Sequence, residues 1–394
     1  MLGNKLFLAK SLLPRLYQML SSILILVVAF LSLIVLMVIH EFGHFIIAKK
    51  FGVKVEEFGI GYPPRIVGKK IGETIYSINW IPLGAFVKIY GETGGVDDLR
   101  SFANLKIWQR VLIVIGGVAA FWITAIIIFS IVFAMGADLP VSDNDVSGLT
   151  NPQVKVVLVS EGSPASMAGL KIADAIKYIK VEGVDIQIDK IADFQKITTE
   201  NKGKEITLTI NRGGENFNVN LTPRVDPPAG QGAVGIGLER MATLIKKTSW
   251  YSAPIQGTVY TWQTTINALK GLYVTFKDLF SGKGAPEGAS FAGPLGITVF
   301  LANAASYGAG FFLYFIGMIS VFIAIFNLFP IPALDGGKLI FLLIEKIKGK
   351  PVSIKVEQGI TVVFFIILIL LSLFITIKFD IPRFADFLKS AIQR

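Results

Sequence analysis

Cysteine is absent from this chain of 394 residues. Disulfides, thiol catalysis and cysteine-ligated zinc knuckles are therefore excluded, and any bound metal must be held by histidine and carboxylate. Histidine is scarce as well: there are two, and both fall in the pentapeptide His40-Glu41-Phe42-Gly43-His44. Charged residues make up 17% of the chain against 53% hydrophobic, with mean hydropathy +0.62. A soluble domain carries about 25% charged residues, so this composition belongs to an integral membrane protein. The formal net charge of +10 sits beside apolar runs. There it suits lipid headgroups and the positive-inside bias, and no nucleic-acid partner is expected.

What is present centres on that pentapeptide. Residues i and i+4 share a helix face, so His40 and His44 can reach one ion while Glu41 projects close by. Two histidines plus a third protein ligand leave one tetrahedral position of a zinc ion for water, the layout of a hydrolytic site. Three ionisable groups in one turn of a nearly all-apolar segment are hard to explain as packing, because polar groups at membrane depth are costly unless paired or functional.

The lead-in to residue 18 carries Lys5, Lys10 and Arg15, with no small-residue cleavage site after it, so the first span is read as retained. Apolar character runs from Met19 to Ile39 and resumes to Ala48, ending at Lys49-Lys50. The pentapeptide then lies on the order of 10 Å inside that interface, at about 1.5 Å per residue. Beyond it, Thr74–Trp80 and Ala85–Tyr90 read as two short strands around Ile81-Pro82-Leu83-Gly84. They form either a solvated hairpin or an edge that receives an extended peptide. A second span, Val111–Met135, contains Gly116-Gly117 and a small-xxx-small spacing from Gly116 to Ala120 that permits close helix contact. Asp138–Pro152 reads as a polar linker.

Charge and strand alternation return over Val154–Arg240. The expected parts are a strand at Val154–Val159, a turn at Gly162-Ser163-Pro164-Ala165 and a helical piece at Ser166–Leu170. A hairpin is expected from Ile206–Asn211 and Phe217–Leu221 about Gly213-Gly214. Met241–Gly284 reads as an amphipathic helix along the membrane surface or beneath this module. A third span, Phe311–Phe329, ends in Pro330-Ile331-Pro332-Ala333-Leu334-Asp335-Gly336-Gly337. Asp335 is expected at membrane depth on irregular backbone, tolerated only where protein or a cavity covers it, and a metal is its best partner there; capping the next helix is the alternative. A fourth span covers Ile360–Ile377. Ten Lys/Arg in residues 49–110 and five in 338–355 assign that side, with the His pair and Asp335 near it, to the cytoplasm.

On these residues the chain resembles the site-2 protease family of intramembrane zinc metalloproteases, in its bacterial branch. The resemblance rests on His40-Glu41-Phe42-Gly43-His44 and Leu334-Asp335-Gly336-Gly337. Ile81-Pro82-Leu83-Gly84 with Val87-Lys88 and Gly91-Glu92, Trp108-Gln109-Arg110 and Gly293-Pro294-Leu295-Gly296-Ile297 support it. Gly162-Ser163-Pro164-Ala165 and Ala168-Gly169-Leu170 make the inserted module resemble a single PDZ domain. The family implies His40, His44 and Asp335 as Zn2+ ligands and Glu41 as general base. It also implies a re-entrant β-hairpin that holds unwound substrate as an added strand, and a substrate-binding Asn327. The chain departs from the family with Gly116-Gly117-Val118-Ala119-Ala120 where Gly-Pro-x-x-Asn is usual, with one PDZ-like module where many relatives have two, and with Ala173-Asp174 in place of Gly-Asp.

The expected architecture is a polytopic α-helical membrane protein with four transmembrane helices, a membrane-associated β-hairpin and an inserted α+β PDZ-like domain. Its parts are residues 1–48 with the first span, 49–110 with the hairpin, 111–136, the PDZ-like 154–240, amphipathic 241–292, 293–345 with the third span, and 346–394. The family implies cleavage of single-span membrane proteins, such as anti-sigma factors or signal-peptide remnants, in an inner or plasma membrane. Lipids, and a peptide C-terminus or extracytoplasmic protein at the PDZ-like domain, are the further partners expected. Two other readings stay open: a membrane metalloprotease with a different third ligand, and a non-proteolytic scaffold binding peptides through the module.

Overall fold

A computed structural model of the chain describes residues 2–92, 98–144, 149–160, 162–228, 231–244, 249–281 and 291–393. The expected linker at 138–152 and the segment 241–292 lie partly outside these described residues.

The chain begins with one helix, α1 (Leu2–Lys50), whose part from Leu20 onward is long and apolar enough to cross a membrane. It stops where Gly52, at φ +76°, turns the backbone into strand β1 (Val55–Ile71). β1 and β2 (Thr74–Ile89) form a two-stranded unit that is folded back on itself. Residues 65–71 of β1 pair with 74–79 of β2 across the Gly72-Glu73 turn. Residues 57–60 pair on one side with 75–78 and on the other with 85–88. The two stretches read from sequence as neighbours around Ile81–Gly84 are thus legs of one bent strand, with Val55–Ile60 lying between them. Gly84, at φ +111°, allows the bend, and a Cβ there would touch Tyr62 of β1 and Met37 of α1. The Gly72-Glu73 end is tied to the end of α1 and to the following loop by ion pairs of Glu73 with Lys49 and with Arg100 (2.6 Å). The opposite end carries Pro63, Pro64 and Pro82 and exposes Ile66, Trp80 and Leu83.

α2 (Ile107–Met135) is the second helix able to span. A short strand, β3 (Asp138–Pro140), leads into the inserted module: β4 (Leu149–Val159), α3 (Pro164–Met167), β5 (Ala175–Val181), β6 (Val184–Gln187), α4 (Ile191–Glu200), β7 (Ile206–Arg212), β8 (Glu215–Leu221) and β9 (Ile236–Leu244). The sheet order is β3-β9-β4-β5-β7-β8, with β6 on β5. The hairpin about Gly213-Gly214 is present with Arg212 opposite Glu215. Alternation places Ile206, Leu208 and Ile210 inside with Val154, Val156, Ile176, Ile179 and Phe194. The short helix begins earlier than the sequence suggests. Ser163 caps it, accepting the Ser166 amide at 3.1 Å, and Pro164 fits its first turn, where no N–H is needed.

α5 (Ala253–Phe280) follows. It packs lengthwise on α2 rather than only beneath the module, because its inward face is small: Gly257, Thr261, Thr264, Thr265 and Ala268. Small residues let two backbones approach. A Cβ on Gly257 would stand 2.7 Å from the Ile126 carbonyl oxygen, and Tyr260 meets Phe129 and Phe133 at 4.9 and 5.4 Å. The break at Gly293 opens an additional apolar helix, α6 (Pro294–Ala305), before α7 (Ala309–Asn327). Buried Asp380 holds its start, accepting the Gly293 amide at 3.1 Å. α8 (Asp335–Lys348) and α9 (Ile354–Ile375) are followed by a wide turn at Thr376–Asp380 and by α10 (Ile381–Gln393). α9 has no buried residue although it is among the most apolar segments, as suits a helix solvated by lipid. α1, α2, α7 and Ile354–Lys389 are the four candidate spans among the described residues, the number expected.

Candidate metal centre

His40 and His44 lie one turn apart on α1, and both are buried. Their surroundings come from α2, which crosses at very short range. A Cβ on Gly43 would stand 2.8 Å from the Gly116 carbonyl carbon and 2.9 Å from the Ala120 methyl. A Cβ on Gly117 would stand 2.7 Å from Cδ2 of His44 and closer still to its Cε1 and Nε2. The glycine of the pentapeptide and the Gly116-Gly117 pair are therefore one device: they remove the side chains that would hold the helices apart. The His44 ring reaches through that gap, and its Nδ1 lies 2.9 Å from the Ile113 carbonyl oxygen. A carbonyl only accepts, so Nδ1 carries the hydrogen and Nε2 keeps its lone pair. The His40 ring stacks on Phe121 of α2, centroids 4.7 Å apart.

Asp335 is brought to the pair from the far end of the chain. It opens α8 as the first helical residue, with Leu334 at the N-cap and no side-chain cap bond, so the alternative that Asp335 caps this helix is not met and its carboxylate is left for the histidine pair. Loop residues 328–332 wrap over that turn. A Cβ on Gly336 would meet the Leu328 and Phe329 carbonyls, and one on Gly337 the Ile331 carbonyl and the Pro332 Cα. Only a turn stripped of side chains can fit beneath the Pro-x-Pro loop, which is the physical content of the Asp-Gly-Gly sequence. Asp335 Oδ2 is 3.4 Å from Nε2 of both histidines, and the two Nε2 atoms are 3.2 Å apart. Tetrahedral zinc with bonds of about 2.0–2.1 Å spaces its donors roughly 3.3 Å apart. Oδ2 is buried without a hydrogen-bond partner. Three lone-pair donors converging on one point repel unless a cation lies among them, so the residues present fit zinc. Among the described residues this is the one His/Asp/Glu group of that geometry.

Glu41 points to the bent strand: its Oε2 accepts the Val87 N–H at 3.0 Å. Asn327, at the end of α7, is not part of the cluster. Its Nδ2 donates back to Ile323 O at 3.0 Å. Other neighbours were not evident from sequence. Lys338, three residues after Asp335, forms an ion pair with Glu92 at the end of the hairpin. Arg110 at the start of α2 makes a two-pronged pair with Glu345 of α8 at 3.0 and 2.5 Å. Each joins segments more than 200 residues apart, a distance at which no local pattern gives a signal. Gly43, by contrast, was readable in principle, since a glycine inside an apolar helix weakens it unless something must approach closely.

The comparisons with known proteins agree with this geometry. Residues 28–371 match the model of peptidase family M50. The chain is 33% identical over 350 residues to a Clostridium perfringens protein called a "putative zinc metalloprotease", covering 89% of this chain and 96% of that one. A protein of the same description from Clostridium acetobutylicum is 33% identical over 353 residues, covering 89% and 96%. The regulator of sigma-E protease RseP of Escherichia coli K12 is 29% identical over 423 aligned positions, covering 82% of this chain and 91% of RseP. With four helices among the described residues long and apolar enough to cross a membrane and a buried donor set that could hold zinc, the chain belongs to peptidase family M50, the site-2 proteases, and is a multi-pass intramembrane zinc metalloprotease.

Proposed function

We propose that His40, His44 and Asp335 hold the zinc, that Glu41 is the general base, and that the substrate is the transmembrane segment of a single-span protein. One observation carries this reading: the 3.2–3.4 Å spacing of the three donor atoms, supplied by two helices from opposite ends of the chain. When bound, zinc polarises the carbonyl under attack and brings the pKa of its water to about 7. The chain's own residues do the rest. His44 is fixed through Ile113 and His40 by Phe121, so neither needs to reorient. Glu41 Oε2 takes a proton from the attacking water and delivers it to the leaving amine.

A helical substrate hides its carbonyls in i→i−4 bonds and must unwind before attack. Residues 85–89 of β2 offset part of that loss, because they are paired with β1 on one side and with no strand on the other among the described residues. The proline-rich, apolar-tipped end of the hairpin, with Gly84 beside Met37, supports a re-entrant position at the depth of the metal centre. A substrate role for Asn327 requires its amide to leave Ile323. The module at 154–240 is read as PDZ-like and extracytoplasmic, with the metal centre toward the cytoplasm. There it would receive a peptide C-terminus or restrict substrate size, and anti-sigma factors or signal-peptide remnants are the substrate classes.

The test is purified protein in liposomes with a single-span substrate, with and without a zinc chelator, the products mapped by mass. Chelator-sensitive cleavage inside the apolar segment, restored by zinc, is expected. Chelator-insensitive cleavage, or cleavage confined to the soluble flanks, overturns the reading.

A further inference from the structure

The general base is already engaged before any substrate arrives, and its partner is the strand edge that substrate would use. Val87 stands opposite Phe58 in the ladder, yet its N–H is turned away from β1 and donates to Glu41 Oε2 at 3.0 Å. On the outer edge of residues 85–89 this amide is thus capped by a carboxylate rather than open. A charge-assisted bond of this kind is roughly twice as strong as a neutral one. An added strand needs the same donor, and one N–H cannot serve a carboxylate and a substrate carbonyl equally well.

We infer that the main-chain amide of Val87 is a positioning group that parks Glu41, and that strand addition at 85–89 releases the carboxylate toward the attacking water. This rests on the reading of Glu41 and of the edge given above. It goes further in making the two mutually exclusive partners of one hydrogen. Base activation is then coupled to substrate pairing, so a water reaching the metal centre without a paired segment finds Glu41 turned aside.

The coupling predicts a binding effect that needs neither metal nor turnover. In metal-free protein, Glu41→Ala uncaps the edge, so a fluorescent single-span substrate peptide in detergent micelles should bind on the order of tenfold more tightly than to wild type. Glu41→Gln keeps an acceptor oxygen in the same place and should stay near wild-type affinity. A purely structural role for the side chain would not produce this order, because truncation would then weaken binding or leave it alone. Val87→Pro removes the N–H at an edge position where the ladder to β1 does not use it, and proline is tolerated at such positions. It should weaken substrate binding and abolish the gain from Glu41→Ala, whereas Val87→Ala, which keeps the amide, should preserve both.

In zinc-loaded protein the pattern should divide by substrate length. Val87→Pro should lower cleavage of the single-span substrate and raise hydrolysis of a tripeptide too short to pair. Equal peptide affinity for wild type, Glu41→Ala and Glu41→Gln, where zinc-loaded wild type cleaves the single-span substrate, overturns the latch and leaves the protease reading standing. A wild type that neither binds nor cleaves the substrate overturns both.

Discussion

Gly117→Ala adds one methyl group and is expected to disable the metal centre. The new Cβ would lie 2.7 Å from His44 Cδ2 and nearer still to two other ring atoms, well inside van der Waals contact. Carbon atoms pack at about 3.5–4.0 Å, so ring or helix must move by the order of 1 Å. Neither movement is free. Rotating the ring breaks the 2.9 Å bond from Nδ1 to the Ile113 carbonyl, and spreading α1 from α2 opens the contact of Gly43 with Gly116. Overpacking of a buried site costs about 1–3 kcal/mol, and a lost buried hydrogen bond about 1 kcal/mol more. Loss of a partner that orients a metal ligand lowers metal affinity by about 10–100-fold. Displacement of the ligand itself adds to that, so the zinc dissociation constant should rise by at least roughly 100-fold. Competition against a chromophoric chelator measures it, and circular dichroism of the variant checks that the helices persist. Helical Gly117→Ala protein that binds zinc as tightly as wild type would refute the account of why α2 has glycine there.

Four further outcomes follow from the same structure. Glu41→Gln should retain zinc by elemental analysis and lose cleavage, whereas Asp335→Ala should lose both. Ala173 holds φ +73°, where a Cβ costs about 1 kcal/mol and glycine costs nothing, so Ala173→Gly should stabilise the module by about that amount in urea unfolding. Arg110 and Glu345 are largely buried and paired, so Arg110→Met alone should destabilise by about 3 kcal/mol; the double change with Glu345→Leu should recover most of it, read as inactivation temperature in detergent. Hydrogen bonds from Lys49 and Arg100 hold the Glu73 carboxyl below its ordinary range. Its folded value is depressed, so this anchor is complete above the ordinary glutamate pKa and is lost as pH falls through the depressed one. Because the group is only partly buried and its partners reach solvent, the global effect is small. Faster proteolysis at the Gly72-Glu73 turn at pH 3 than at pH 6, abolished in Glu73→Gln, is the expected signature.

Local pattern and tertiary structure divide the account of this protein at a physical boundary. Unaided, the sequence determined what depends on composition and short-range periodicity. Four apolar runs require a bilayer, strand alternation marks the inserted module, and two histidines one turn apart require a shared ligand. Asp335 was legible because an acid amid apolar residues and prolines demands a partner, although nothing local says which. Tertiary structure decided whatever depends on backbones meeting across long stretches of chain. Val55–Ile60 entered between the two halves of β2 because pairing in a bent strand is set by long-range register, which alternation does not encode. α5 settled on α2 because a stripe of glycine, threonine and alanine lets helices touch, and amphipathicity alone does not distinguish a membrane surface from a protein surface. The hold of Ile113 on His44 and the engagement of Glu41 by Val87 are contacts of main-chain atoms. Every residue has those atoms, so no side-chain pattern announces them, and only the fold places them within 3 Å of the groups they control.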